Sequence, residues 1–258
     1  MGFNQLEDMD IICEQTPVVF ATRVNETMAE IKGLPQIYHK VFDLNELIGE
    51  ELAGIRGIKS AHYFPVMFQS RKANFAITNY FEKCDQIRIG SFDFKKTGIS
   101  YISGSEFAGA KYGFDFLLSF CPNEKNRQTV INELLEIYAL DIYSSQGDRP
   151  GNLYFEVHPN GEIHVAEMFD YEQSLEDDIF NYYYASDFHR FDTVDDYQKF
   201  IKQYPQLREM LKSYLDLDLM RLIKRVGRSR RFDLSKINLE GYARYSEVAQ
   251  KKKKKILE

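Results

Sequence analysis

The chain has 258 residues, of which 44% are hydrophobic, and its formal net charge is −6. This size and composition suit one large domain or two packed lobes and exclude a disordered chain. The negative charge argues against specific nucleic-acid binding, and no apolar run reaches the roughly 18 residues of a membrane span. Three separated cysteines and an N-terminus without signal-peptide features predict a cytoplasmic protein without disulfides.

The N-terminal part of the sequence predicts strands followed by a helix. Residues 18–24 and 37–42 are β-rich runs, interpreted as a hairpin with a long polar connection. A helix is expected over residues 43–56, with Asp43 or Asn45 as its cap. Lys40 then lies on the second strand and Glu46 in the first turn of the helix.

Over residues 60–94, apolar residues either alternate with polar ones or form continuous runs, a pattern that predicts further strands. This region ends in the segment Ser-Phe-Asp-Phe, which contains Phe92 and Asp93. We therefore expect a β-rich unit with one helix over residues 1–94. A mostly helical unit is expected over residues 95–250, and a disordered lysine-rich tail over residues 251–258. The expected helices of the second unit span residues 106–121, 128–143, 195–203 and 207–225.

The segment 128–175 combines a helix, an acidic loop and a hairpin. The apolar pattern of the helix leads into a polar loop that carries Asp148 and Asn152. Two short strands follow, joined by His-Pro-Asn-Gly-Glu, and an Asn-Gly pair is a strong hairpin signal. The second strand ends on Asp170. Each acid alone is an ordinary turn or strand-end residue, so the interpretation depends on the ordered set.

This order is the one in which protein kinases build a phosphoryl-transfer site. Asp148 is the candidate base that orients the acceptor hydroxyl, and Asn152 and Asp170 are the candidate Mg²⁺ ligands. Carboxylate and amide oxygens are the ligands that Mg²⁺ prefers. The cofactors expected from this arrangement are ATP and Mg²⁺.

The same comparison assigns roles to the N-terminal candidates. A strand lysine that contacts the ATP phosphates and pairs with a helix glutamate corresponds here to Lys40 and Glu46. Lys32 and Glu50 are the alternatives, and only packing can choose between them. Phe92 and Asp93 are placed at the expected hinge between two lobes, where backbone groups meet the adenine.

The motifs resemble those of the HipA-like bacterial kinase family. DIYSSQGDRPGNLYFEV, followed by VAEMFDYEQSL, is similar to that family's catalytic loop and metal-binding segment, and NELIGEELAGIRGI is similar to its N-lobe helix. The resemblance implies an α+β, two-lobed protein-kinase-like fold, with a small β-rich N-lobe and a helical C-lobe. It also implies Ser/Thr kinase activity and, as in some HipA-like systems, a partner protein that neutralises the kinase.

Two features depart from an active kinase. Asp148 and Asn152 are four residues apart where kinase loops have five, and no glycine-rich turn joins the first two strands, whose connection contains only Gly33. A kinase-fold binding module without turnover therefore stays open. So does a small-molecule kinase with a cationic acceptor, because GDRPGN also resembles the loops of antibiotic and choline kinases. The acceptor is accordingly a hydroxyl on a protein or on a small molecule.

Overall fold

The computed structural model describes most of the C-terminal two thirds of the chain and separate parts of the first 103 residues. The described residues are 10–11, 21–24, 28–31, 37–41, 44–68, 71–77, 100–103, 117–146, 149, 152–168, 170–171, 174–175, 194–229 and 234–258. Helices and strands combine in a mixed α and β fold.

In the N-terminal part, the strands that the structure describes form a six-stranded antiparallel sheet. Its order is β1-β5-β6-β4-β3-β2. The strands are β1 (Asp10–Ile11), β2 (Ala21–Val24), β3 (Met28–Ile31), β4 (Ile37–Val41), β5 (His62–Phe68) and β6 (Arg71–Ile77).

The prediction that residues 18–24 and 37–42 pair with each other as a hairpin is wrong. Strand β3 lies within the connection that was expected to be a polar loop, and it pairs with both β2 and β4. Backbone N–H and C=O groups need partners whatever side chains they carry, so a short polar segment can become a strand between two others. Strand β4 also pairs with β6, where Lys40 lies opposite Asn74.

Helix α1 (Leu44–Ile55) confirms the helix predicted over residues 43–56. Leu44, Leu47, Ile48 and Leu52 are buried at helical spacing, which gives the helix one apolar face. The helix ends at Ile55, and Gly57, two residues further on, adopts a φ of +67°. The N–H of Ile58 donates to the carbonyl of Ala53 at 3.0 Å, so the chain turns sharply after the helix.

Helix α2 (Glu124–Ser144) and the hairpin after it form the centre of the described core. Asn123 caps the start of α2, and Ser145, the residue that follows its last turn, has a φ of 54°. Strands β8 (Tyr154–Val157) and β9 (Ile163–Val165) pair as predicted, with Gly161 at a φ of +83° in the turn. Strand β7 (Ser100–Ser103) was not predicted and adds a third strand beside β8.

Four α-helices are described after the hairpin, and they correct the prediction for residues 207–225 and the one for the C-terminal tail. They are α3 (Val194–Gln203), α4 (Gln206–Leu215), α5 (Leu219–Ser229) and α6 (Leu239–Leu257). The single helix expected over residues 207–225 is two helices, because Asp218 accepts a bond from the N–H of Arg221 at 2.9 Å and starts a new helix. Among the described helices, none combines the length and apolar character that crossing a bilayer requires.

The lysine-rich tail, predicted to be disordered, belongs to α6. Ile256, one of its few apolar residues, is 2% exposed. Arg208 donates from Nη1 to the carbonyl of Leu257, and Gln198 donates from Nε2 to that of Lys255 at 3.1 Å. Packing of one side of the helix against α3 and α4 therefore orders a segment whose composition alone favours disorder.

Candidate active site

The structure describes three of the predicted site residues in full. Asp148, Phe92 and Asp93 lie outside the described residues. Lys40 is described as part of the β4 backbone, without its side chain. The side chains of Glu46, Asn152 and Asp170 are described.

The segment that ends in Asp170 packs against the residues that follow α1. Met168 forms a parallel bridge with Ser60. The N–H of Met168 donates to the carbonyl of Lys59 at 2.8 Å, and its own carbonyl accepts from the N–H of Ala61 at 2.7 Å. Asp170 itself is half-buried and adopts a left-handed φ of 65°. This conformation is uncommon outside glycine, although Asp and Asn tolerate it better than most residues.

Glu46 lies next to Asp170. Its side chain is fully buried, and its Oε2 accepts a hydrogen bond from the N–H of Tyr171 at 2.9 Å. Glu50, one turn further along α1, is only partly buried. The carboxylate of Glu46 therefore contacts the segment after β9.

Tyr171 fills the space between α1 and this segment. Its hydroxyl shares a hydrogen bond with Oγ of Ser60 at 2.9 Å. Burial raises the pKa of the Tyr171 phenol, so the side chain stays neutral. A Cβ on Gly49 would lie 2.1 Å from the ring carbon Cγ of Tyr171. Gly49 is thus required for the close approach of helix and ring.

Gln146 connects the polar loop to Asp170. Its Nε2 donates to the backbone carbonyl of Asp170 at 2.8 Å. A carbonyl only accepts, so this contact fixes which end of the amide faces Asp170. The side chain is 1% exposed. Gln146 therefore holds the start of the loop against the end of the hairpin segment.

Arg149 makes the second connection, and no sequence signal had singled it out. Its Nε and Nη2 donate to the carboxylate of Asp141 on α2 at distances of 2.9 to 3.2 Å. Both side chains are 0% exposed. The guanidinium carbon of Arg149 also lies 5.3 Å from the centroid of the Tyr171 ring, a cation–π geometry. One buried cation thus joins the loop, α2 and the residue after Asp170.

The charges of this buried pair depend on each other. Burial raises the pKa of Asp141, and the guanidinium of Arg149 opposes that shift. The carboxylate of Asp141 in turn raises the pKa of Arg149 against the effect of burial. Since arginine keeps its proton in proteins, Asp141 needs that cation to remain ionised in the interior.

The residue spacing explains why Arg149 was missed. Asp141 and Arg149 are eight positions apart, on either side of the end of α2, and the predicted helix ended near residue 143. An acid in the last turns of a helix and an arginine in the following loop are both common surface residues. Only their complete burial marks them as a pair.

The segment after Asp170 returns to the end of α2. Ser174 is fully buried, and its Oγ donates to the carbonyl of Tyr171 at 2.6 Å. The N–H of Leu175 donates to the carbonyl of Ser144 at 2.7 Å. The backbone around Asp170 is therefore held on both sides, which limits how far its carboxylate can move.

Asn152 lies between the loop and strand β8. It is partly buried, and its N–H donates to the carbonyl of Arg149 at 3.0 Å. Asn152 and Asp170 supply one amide and one carboxylate oxygen at the two ends of the hairpin. No group of three His, Cys, Asp or Glu side chains suited to a metal occurs among the described residues. Mg²⁺ is commonly held by one or two carboxylates, with water and phosphate oxygens completing its shell, so this donor set fits it.

Comparison with known proteins shows which solved structures the fold is similar to. No model of a protein family matches the sequence, and no curated protein sequence matches it. Among solved structures, the chain is similar to HipA of Shewanella oneidensis MR-1, from a toxin–antitoxin complex of HipA, HipB and operator DNA. The TM-score is 0.52 at 15% identity, over 89% of this chain and 58% of that one.

The Helicobacter pylori proinflammatory kinase CtkA is also similar, with a TM-score of 0.50 at 11% identity over 91% of this chain and 93% of that one. The chain has a kinase-like fold. At these identities the likeness concerns the fold alone. The chain spans 58% of the length of the HipA chain and nearly all of the CtkA chain.

Proposed function

We propose that this chain is an ATP- and Mg²⁺-dependent phosphotransferase, a Ser/Thr protein kinase of HipA-like type that transfers the γ-phosphoryl group to a hydroxyl. The observation that carries the proposal is the pair of contacts made by Gln146 and Arg149 with Asp170 and Tyr171. Asp148 lies between Gln146 and Arg149 in the sequence. A kinase needs a loop acid and a hairpin-end acid at one nucleotide, and these contacts support that arrangement.

In the proposed site, Asp148 orients the acceptor hydroxyl and accepts its proton as transfer proceeds. Lys40, steadied by Glu46, holds the α- and β-phosphates. Asn152 and Asp170 would hold Mg²⁺, which when bound neutralises charge on the phosphates.

The proposal also includes two lobes. Residues 1–94 form the smaller one, with Phe92 and Asp93 at a hinge that contacts the adenine, and residues 95–250 form the larger one. Catalysis in such a site is mainly positioning, since the transferred group needs little covalent help from the protein. The buried contacts around Tyr171 are the part of the described structure that supplies this positioning.

Asp170→Asn tests the proposal. Asparagine tolerates the left-handed backbone of this position, so the variant keeps the fold while it removes the negative charge. With γ-labelled ATP and Mg²⁺, transfer to a generic protein acceptor or to the chain itself should fall by about 100-fold or more. Asp195→Asn, at an exposed acid in the first turn of α3, is the matched control and should keep full activity.

Equal label incorporation in Asp170→Asn and in the parent would contradict the assignment of Asp170. Transfer to an aminoglycoside or choline but to no protein would replace the protein acceptor with a small molecule. It would leave the phosphotransferase mechanism in place.

A second candidate function is a kinase-fold binding module without turnover. The sequence observation that favours it is the connection between β2 and β3, residues 25–27, which is Asn-Glu-Thr and contains no glycine. Glycine allows backbone N–H groups to approach phosphates closely. A thermal-shift series with ATP separates the two candidates: stabilisation by ATP without Mg²⁺, and no turnover with it, would favour the module.

A further inference from the structure

Helix α5 presents a row of cations to solvent. Arg221, Lys224, Arg225 and Arg228 recur at helical spacing and are all exposed. The opposite face, which includes Leu222 and Ile223, is buried in the core. This basic row stands out because the whole chain carries a net charge of −6.

Among the described residues, only Arg225 of this row has a salt-bridge partner. Arg225 contacts Glu51 of α1, with Nη2 3.0 Å from Oε2. Arg221, Lys224 and Arg228 form no salt bridge with any residue in the described part of the chain. Three positive side chains are therefore available to a partner on one side of one helix.

The basic row borders an open groove that also offers apolar contacts. The groove, of about 1140 Å³, runs between the end of α1 and helix α5. Ile55 lies in it and is 38% exposed, the one exposed large hydrophobic side chain among the described residues. Met220 and Leu217 add partly buried apolar surface nearby. An apolar centre with charged side chains around it is a usual composition of a protein docking surface.

We propose that this groove docks an acidic protein segment that carries one apolar side chain. The acidic side chains would meet Arg221, Lys224 and Arg228, and the apolar one would cover Ile55. The proposal concerns binding alone and does not depend on phosphoryl transfer.

The charge distribution favours a peptide over other anions. Asp216 and Asp218 line the groove near the start of α5, so negative potential lies at one end and positive potential at the other. A nucleic acid carries evenly spaced phosphates that would also be brought against those acids. A peptide can place its acids over the cations only. A membrane surface would need a larger apolar area than Ile55 and its neighbours provide.

Fluorescence anisotropy measures the binding of a short fluorescent peptide that consists of Asp and Glu with one central Leu. The triple variant Arg221→Glu, Lys224→Glu, Arg228→Glu should weaken binding at least about tenfold, because attraction becomes repulsion at three contacts. The matched control makes the same change in charge on α6, whose exposed Lys251, Lys254 and Lys255 are replaced by Glu. That control should bind within about twofold of the parent.

A second part of the experiment tests the apolar contact at Ile55. Ile55→Ser, or a peptide with Ser in place of Leu, should each weaken binding by about threefold or more, since one side of an apolar contact is removed. Circular dichroism confirms that each variant is folded. Equal loss of binding in the α5 and α6 triple variants would overturn the proposal. So would tighter binding of a single-stranded RNA of equal charge, or of anionic lipid vesicles.

Discussion

The buried pair of Arg149 and Asp141 gives the sharpest test of how the candidate site is built. Arg149→Met keeps a long side chain that fills most of the same space but removes the cation. The carboxylate of Asp141 then stays in the interior with no opposing charge, in a place where burial already raises its pKa. The contact with the Tyr171 ring is lost as well.

The expected cost follows from the complete burial of both partners. Removal of one member of a buried ion pair costs about 3–5 kcal/mol, whereas an exposed pair contributes about 0–1 kcal/mol. We therefore expect the free energy of unfolding of Arg149→Met to fall by about 3–5 kcal/mol. The double variant Asp141→Leu, Arg149→Met leaves no buried charge and should recover a large part of this loss.

Urea denaturation followed by circular dichroism measures these differences. Arg221→Met serves as the control, because the same chemical change at an exposed arginine should alter stability by no more than about 0.5 kcal/mol. A loss below about 1 kcal/mol in Arg149→Met would refute the view that the pair is buried and charged. So would a double variant that is less stable than the single one.

Three further predictions concern the surroundings of the site. Gly49→Ala should lose about 1–3 kcal/mol of stability, because its new methyl group displaces the Tyr171 ring. Gly54→Ala on the same helix has open space around it and should gain about 0.5–1 kcal/mol. Thermal denaturation compares the two variants. Asn126→Ala should lower the free energy of unfolding by at least about 2 kcal/mol in urea denaturation, because it removes two buried hydrogen bonds, to the N–H of Ile163 at 3.0 Å and to its carbonyl at 2.8 Å. One ordinary hydrogen bond contributes about 0.5–1.5 kcal/mol, so a loss under about 1 kcal/mol would contradict this prediction. Burial raises the pKa of four tyrosines in the described part of the chain above the value of about 10 in the unfolded chain, so the unfolded state binds fewer protons above that pH and stability should fall as pH rises further. The tyrosinate absorbance of these four should then appear only together with unfolding, and gradual ionisation of all 17 tyrosines in the folded protein would count against it. The four are Tyr143, Tyr171, Tyr214 and Tyr245.

Elements formed by local patterns could be predicted from the sequence. The apolar spacing of α1 and α2 identified both helices, and the Asn-Gly pair identified the β8–β9 hairpin. These features depend on side chains only a few positions apart, so their signals are complete within a short window. The prediction that Asp148 and Asp170 share a site came from the order of such elements, and its residue roles stay predictions.

The features that were missed depend on partners far away in the sequence. Strand β3 forms because β2 and β4 lie on both sides of it, although its own residues read as a polar connection. The lysine run is helical because Ile256 packs into the core next to α3 and α4. Neither partner can be recognised within the window that a local pattern covers.

The sequence by itself determined helices α1 and α2, the central hairpin and the set of polar residues from which a phosphoryl-transfer site can be assembled. The tertiary structure decided which contacts the described residues make. The carboxylate of Glu46 accepts a hydrogen bond from the N–H of Tyr171, 125 positions away. The pairing of Arg149 with Asp141 depends on burial. A charged side chain has the same chemical formula in water and in a core, and only the fold determines whether its partner is solvent or another residue.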